Sequence, residues 1–326
     1  MRKLRCLFTH NDLLLLASCP HVASNAGGLL AFNGAEVERV DSLSTTGLCL
    51  AESRLCRLLW ADDHTNGPIE FLSYDAGGVD GYFRIDGLAE PHDLAWNGRE
   101  FVVVSTATNS VLRVSPTGTV TGQWKIPGTG DAWHLNSLLL TRTRVLVAAF
   151  GEFQHHRQWT QEDTSGTGLV FDVATGESIL TGLSCPHNPR FFDGAWTVCN
   201  SKTGELLQID PVTATVQRRL QLDGWTRGVA VSDDYVFVGV SARRYEGAQA
   251  EQGRIAVVCR QTWTVLEQVE VPCREIYDLV LVPADLLPGL HRGFRRQRVP
   301  RAIQQPCLQV PSGSRRPHLT STSSTP

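Results

Sequence analysis

The feature that most constrains this chain is a repeat of short apolar runs, each opening on a polar residue and cut by a turn. Aligned on their turns, the runs are "TGLCLAESRLCRLLW" from Thr46, "HDLAWNGREFVVVS" from His92, "NSLLLTRTRVLVAAF" from Asn136, "HNPRFFDGAWTVCNS" from His187, "RGVAVSDDYVFVGVS" from Arg227 and "YDLVLV" from Tyr277. Successive starts lie 46, 44, 51, 40 and 50 residues apart. The runs are rich in Val, Leu, Phe and Trp, and Asn97-Gly98, Thr117-Gly118, Asp193-Gly194 and Asp233-Asp234 punctuate the chain. Helical periodicity is nearly absent, so the chain is all-β. A period of about 40 to 50 residues with about four short strands per unit is the pattern of a β-propeller, and six starts mean six blades.

The ends of the repeat predict how the ring closes. After Tyr277 only one strand fits before Pro283 and Pro288, whereas extra strands precede the first full repeat near Leu13 to Ala17, Gly28 to Phe32 and Val37 to Asp41. The sixth blade is expected to combine these N-terminal strands with the C-terminal one, which removes an open sheet edge. The stretch "MRKLRCLFTHNDLLLLASC" ends like a lipoprotein cleavage site, but its apolar part is only Leu13 to Leu16, preceded by Asn11 and Asp12. It reads as an ordinary strand.

Residues 1–290 therefore form one six-bladed domain, and 42% apolar residues suffice for its core. Residues 291–326, with seven arginines, no acid and many Pro, Ser and Thr, read as a disordered basic tail. The net charge of −3 hides this asymmetry: residues 1–290 carry 23 basic and 33 acidic side chains. With so acidic a body, no nucleic-acid partner is expected. Nine cysteines without a CxxC pair argue against a disulfide framework or zinc finger and read mostly as small buried hydrophobes. No run reaches the roughly eighteen apolar residues of a membrane span, so no membrane partner is expected and the default location is cytoplasmic.

In a propeller the first strand of each blade lines the central channel. The first residues of the repeats, Thr46, His92, Asn136, His187, Arg227 and Tyr277, should then meet as a ring near one end of the axis. His134 lies two residues before Asn136 and shares its face. The next column adds Asp93, Asn188 and Asp278, and Arg190 follows closely in "HNPR". Three chemistries fit these residue types. His92, His134 and His187 could ligate a divalent metal ion, leaving positions open for substrate. Alternatively Arg227 with two histidines could clamp an anion while His92, His134 or His187 acts as acid or base. A third version binds a neutral polar molecule such as a sugar. Asn136, Asn188, Arg190, Arg227, Tyr277, Asp278 and Asp93 are the candidate ligand-binding residues in each. The expected partner is a small polar or anionic molecule, with a metal-assisted lyase, hydrolase or group-transfer reaction as one outcome. The rival is a non-catalytic propeller whose outer surface binds a protein partner.

Two long polar loops, Phe150 to Gly168 and the one from Gly247, could act as lids or as solvated excursions. Gly176 and Gly204 belong to Thr-Gly hairpin turns and read as structural.

The segments "DAWHLNSL", "GLSCPHNPRFFDGAWTVCNSKTGELLQIDPVT", "TRGVAV", "VFVGVSARR" and "EIYDLVLVP" resemble a bacterial family of uncharacterised proteins known as domain of unknown function 4915. The resemblance runs from His92 to about Gly289. It places His134, Asn136, Pro186, His187, Pro189, Arg190, Asn200, Ser201, Gly204, Arg227, Gly228, Tyr277 and Asp278 on family motif positions. The chain departs from the pattern at Asp131-Ala132-Trp133, where the family has Asp-Arg-Cys, and at Ser105 to Ser110. The resemblance implies the fold and carries no reaction with it.

Overall fold

A computed structural model of the chain describes residues 8, 12–20, 27–60, 69–242 and 252–296. These form six four-stranded antiparallel sheets arranged around one axis, the six-bladed propeller expected from the repeat. Counting from the first complete blade, the innermost strands are Thr45–Ala51 in blade I, Pro91–Trp96 in II, Ser137–Leu140 in III, Pro186–Phe192 in IV and Trp225–Val231 in V. In blade VI the inner strand is Asp278–Pro283, and Leu13–Cys19, Gly28–Phe32 and Val37–Asp41 complete the sheet. The closure is antiparallel, with Leu13 opposite Pro283 and Ser18 opposite Asp278.

Burial explains why the inner runs are continuously apolar and the outer ones alternate. Phe101–Ser105 is buried at all five positions because both faces of its sheet meet a neighbouring blade. The outermost strands Val120–Lys125 and Val265–Glu270 expose every second residue, as a half-solvated strand must. The main core accordingly divides into slabs between blades. Leu58 and Phe71 of blade I meet Val103 and Leu112 of blade II, and Val104 and Val111 meet Val147 and Phe171 of blade III. The same arrangement recurs between III and IV, IV and V, V and VI, and VI and I.

A buried charge ties blade VI to blade I. Arg57 donates to both Asp41 carboxylate oxygens, at 2.5 and 3.0 Å, and to the Thr45 hydroxyl. The seven described cysteines are free, and Cys19, Cys56, Cys185, Cys199 and Cys273 are buried. Gly176 and Gly204 take the left-handed conformation in their turns, at φ of 76° and 70°.

After the inner strand of blade VI comes helix α1 (Leu287–Arg296), led in by a 3-10 turn at Ala284–Leu286. Leu286 and Leu290 enter the slab between blades VI and I. Gly289 lies so close to the turn at Asp75 that a Cβ there would meet the Asp75 carbonyl. The helix therefore carries ordered structure past the boundary at residue 290 expected from composition; the rest of the basic tail, residues 297–326, lies outside the described residues. So does the loop at Gly247. Among the described residues no helix is long and apolar enough to cross a membrane.

Candidate ligand-binding site

Antiparallel pairing fixes what can gather at the channel end where the inner strands begin. The start of each inner strand lies beside the end of the second strand, as Pro91 beside Ser105, Pro186 beside Asn200 and Trp225 beside Ser241. His92, His134, His187, Arg227 and Tyr277 lie among aromatic side chains there, joined by residues from the second-strand ends that the repeat did not single out. Trp60 lies 5.8 Å from His92 and 6.2 Å from Tyr277 between ring centroids. His92 is 5.3 Å from Tyr277 and 5.2 Å from His134. Phe150 stands 4.3 Å from His134 and 5.5 Å from His187. Trp225 is 6.4 Å from His187, and the Arg227 guanidinium carbon sits 4.4 Å from the Tyr277 ring centre. The result is an aromatic cup to which all six blades contribute.

Hydrogen bonding sets the tautomers of two histidines. The Thr106 hydroxyl donates its only proton to the Leu135 carbonyl at 2.5 Å, so its 2.8 Å contact with His92 Nδ1 requires N–H on the imidazole. Ser201 repeats the device, donating to the Thr226 carbonyl at 2.6 Å and accepting from His187 Nδ1 at 2.7 Å. Each Nδ1 also faces the carbonyl two residues earlier, Glu90 at 3.1 Å and Cys185 at 3.0 Å. Both Nε2 atoms therefore present a lone pair. That of His92 accepts from the Tyr277 hydroxyl at 3.2 Å. That of His187 is buried with no partner among the described residues.

The backbone is strained to build this. Glu90, His134 and Cys185 each stand two residues before the ring position of blades II, III and IV, and all three are left-handed, at φ of 48°, 50° and 51°. For residues with a Cβ that conformation costs roughly 1–2 kcal/mol each, and such strain collects at functional sites. In blades II and IV it turns the carbonyls toward Nδ1; in blade III it delivers His134 itself.

Electrostatics keep the two tautomer-locked histidines neutral. Burial drives both well below the usual imidazole range, with the His134 charge next in effect at His92 and Arg227 next at His187. Arg227 is itself buried and donates to Glu275 at 2.5 Å. His134 Nδ1 lies 3.1 Å from both oxygens of Asp131, which also accepts from Trp159 Nε1 at 3.2 Å. Burial pushes the Asp131 carboxyl up to about 7 despite these donors. Of the two long loops, the one from Phe150 to Gly168 folds over this side of the cup. Its Trp159 lies 4.1 Å from His134 between centroids, and Arg157 bridges Asp131 and Glu90.

The second column, weighed from the sequence as ligand contacts, bonds one blade to the next. Asp93 Oδ2 accepts from Leu138 N of blade III at 2.8 Å. Ser137 Oγ accepts from Asn188 N of blade IV at 2.6 Å, and Asn188 Oδ1 accepts from Gly228 N of blade V at 2.6 Å. Asp278 Oδ2 accepts from Leu48 N of blade I at 3.2 Å. Where the column has glycine, the next blade comes too close for a side chain: a Cβ on Gly47 would lie 2.7 Å from Asp93 Cα, and one on Gly228 would lie 3.0 Å from Asp278 C. Asp93, Asn188 and Asp278 thus belong to a girdle that clasps each blade to the next. Arg190 lies beside it, bonded to the Val229 and Pro189 carbonyls and 3.5 Å from Asp278. Asn136 bonds locally to the His134 carbonyl and Ser137.

Of the three chemistries weighed from the sequence, the three-histidine metal site has the least support. Phe150 packs against both His134 and His187, and His92 Nε2 faces the Tyr277 hydroxyl. Among the described residues no three His, Cys, Asp or Glu side chains are grouped to hold a metal ion. Sequence reasoning missed Trp60, Asp131, Phe150, Trp225 and Glu275. A signal existed for three of them: Trp60 and Phe150 end their repeat segments, and Trp225 precedes Arg227 by two residues, as His134 precedes Asn136.

Comparison with known proteins agrees with the fold. The family model described as DUF4915, a domain of unknown function, matches residues 44–290. No curated protein matches the sequence. Similar solved structures include a protein of unknown function from Bacteroides caccae, 10% identical with a TM-score of 0.58 over 83% of this chain and 99% of that one. A chain of a nidogen–laminin complex is 8% identical, with a TM-score of 0.59 over 83% and 98%. A candidate 6-phosphogluconolactonase from Bacteroides fragilis is 13% identical, with a TM-score of 0.55 over 84% and 99%. At these identities the likeness is one of fold alone.

Proposed function

Since this chain belongs to the DUF4915 family, a domain of unknown function, we propose its function from the site itself: the axial cup binds a small polar molecule through His187. The observation that carries this is His187 Nε2, a lone pair held in a fixed tautomer, buried and unpartnered among the described residues. Leaving such an atom unsatisfied costs roughly 1–3 kcal/mol. The surrounding strain and the doubly anchored Nδ1 hold the imidazole in place without any ligand, which is the preorganisation a binding site needs. A ligand hydroxyl donating to Nε2 satisfies the atom.

The test is intrinsic tryptophan fluorescence with Trp60 and Trp225 in the cup, titrated with small polar compounds in the wild type and in His187→Ala. We expect at least a tenfold weaker affinity in the variant, with a melting temperature within a few degrees of wild type. Equal affinities in the two proteins would sink the reading.

A further inference from the structure

We infer that the cup's ligand is a neutral, polyhydroxylated ring, a sugar or cyclitol, rather than an anion. This rests on the binding role proposed above and names the class of molecule bound there. Charge carries the first part. Arg227, the cation that could have clamped an anion, is 1% exposed and already paired with the buried Glu275 at 2.5 Å. Its face is taken by Tyr277. On the lid side, Arg157 lies between Glu90 and Asp131. His92 and His187 are held neutral. Both arginines at the cup are therefore already matched by carboxylates, and an anion entering it would lose its hydration without an arginine free to match it.

Hydrogen bonding carries the second part. Three buried polar atoms at the ring position lack partners among the described residues: Thr46 Oγ1 in blade I, His187 Nε2 in blade IV and Arg227 Nε in blade V. One accepts, one donates and the hydroxyl does both. An ionised carboxylate group only accepts and cannot itself satisfy His187 Nε2. Hydroxyl groups both donate and accept, so a polyol carries the kind of partner each of these atoms needs. The walls supply the remaining requirement, because Trp60, Phe150, Trp225 and Tyr277 offer apolar rings against which the C–H face of a saturated ring packs.

The experiment titrates the full chain at pH 7 with glucose and myo-inositol, and with gluconate and glucose 6-phosphate as anionic counterparts, by calorimetry and tryptophan fluorescence. We expect at least one neutral compound to bind at least tenfold more tightly than either anion, and His187→Ala to weaken it at least tenfold. Glu275→Gln, titrated well below its melting temperature, uncovers Arg227 and should raise anion affinity at least tenfold; no rise counts against the charge argument. Tighter binding of gluconate or glucose 6-phosphate by the wild type, lost in His187→Ala, overturns the neutral class and leaves the cup as the binding site. Absence of binding by all four compounds, or binding indifferent to His187→Ala, overturns both and returns the channel to water.

Discussion

Replacing Asn188 by Ala removes one link of the girdle, and its cost can be worked from the contacts. Asn188 Oδ1 satisfies Gly228 N–H at 2.6 Å, and Nδ2 donates to Asp278 Oδ1 at 3.2 Å, all in a buried environment. The orphaned N–H costs about 1–3 kcal/mol, and the second bond is worth about 1, since Asp278 Oδ1 keeps its bond from Leu279 N. Asn188 is also left-handed at φ 46°, a conformation Asn tolerates better than Ala by about 1 kcal/mol. The sum is about 3–5 kcal/mol, read as a lower urea midpoint at unchanged slope. Asn188→Gly relieves the backbone and should recover about 1 kcal/mol of that loss. The reasoning fails if Asn188→Ala costs less than about 1 kcal/mol, or if Gly proves worse than Ala.

Two further predictions concern charge. Arg57→Ala leaves Asp41 buried without its partner and should cost about 3–5 kcal/mol, whereas the double variant Arg57→Met with Asp41→Leu should recover most of this in the same urea melt; a double variant as unstable as the single one counts against it. Asp131 is raised from 3.8 to about 7 by burial, so the folded state keeps a proton that the unfolded chain has released. Its contribution to stability therefore declines as pH rises from about 4 to about 7. The melting temperature of Asp131→Asn should gain on wild type across that window, and parallel curves would show that the carboxyl does not titrate there.

The repeat disclosed the architecture because its period, turns and polar first residue all survive in the folded chain: six blades, their inner strands and the closure by Leu13–Cys19 were legible. The cup was legible only in part. The period pointed to His92, His187, Arg227 and Tyr277, but it could not show that Phe150, at the end of a second strand, packs between two of the histidines. Nor could residue type separate ligand from clasp, because Asp93, Asn188 and Asp278 are as fit to bind a molecule as to bond a neighbouring blade's backbone. What decides is the distance between blades at that level, set where the inner strands shift register, as between Arg227 and Val229. Asp131 was hidden because its link to His134 depends on a local left-handed turn that has no periodic trace.

Blade VI has a consequence for synthesis as well as for closure. Its second strand, "LLLLASC", buries six of seven residues, yet its inner partner begins at Asp278, 259 positions after Cys19. At ribosomal speeds of about 5–20 residues per second, that apolar edge waits on the order of 10–50 s for its mate. Throughout that interval it is a template for any matching strand. The strand that matches best, other than the chain's own, is Asp278–Pro283 of another copy. Crowded or rapid production should therefore trap exchanged pairs, each ring completed by its neighbour's last inner strand.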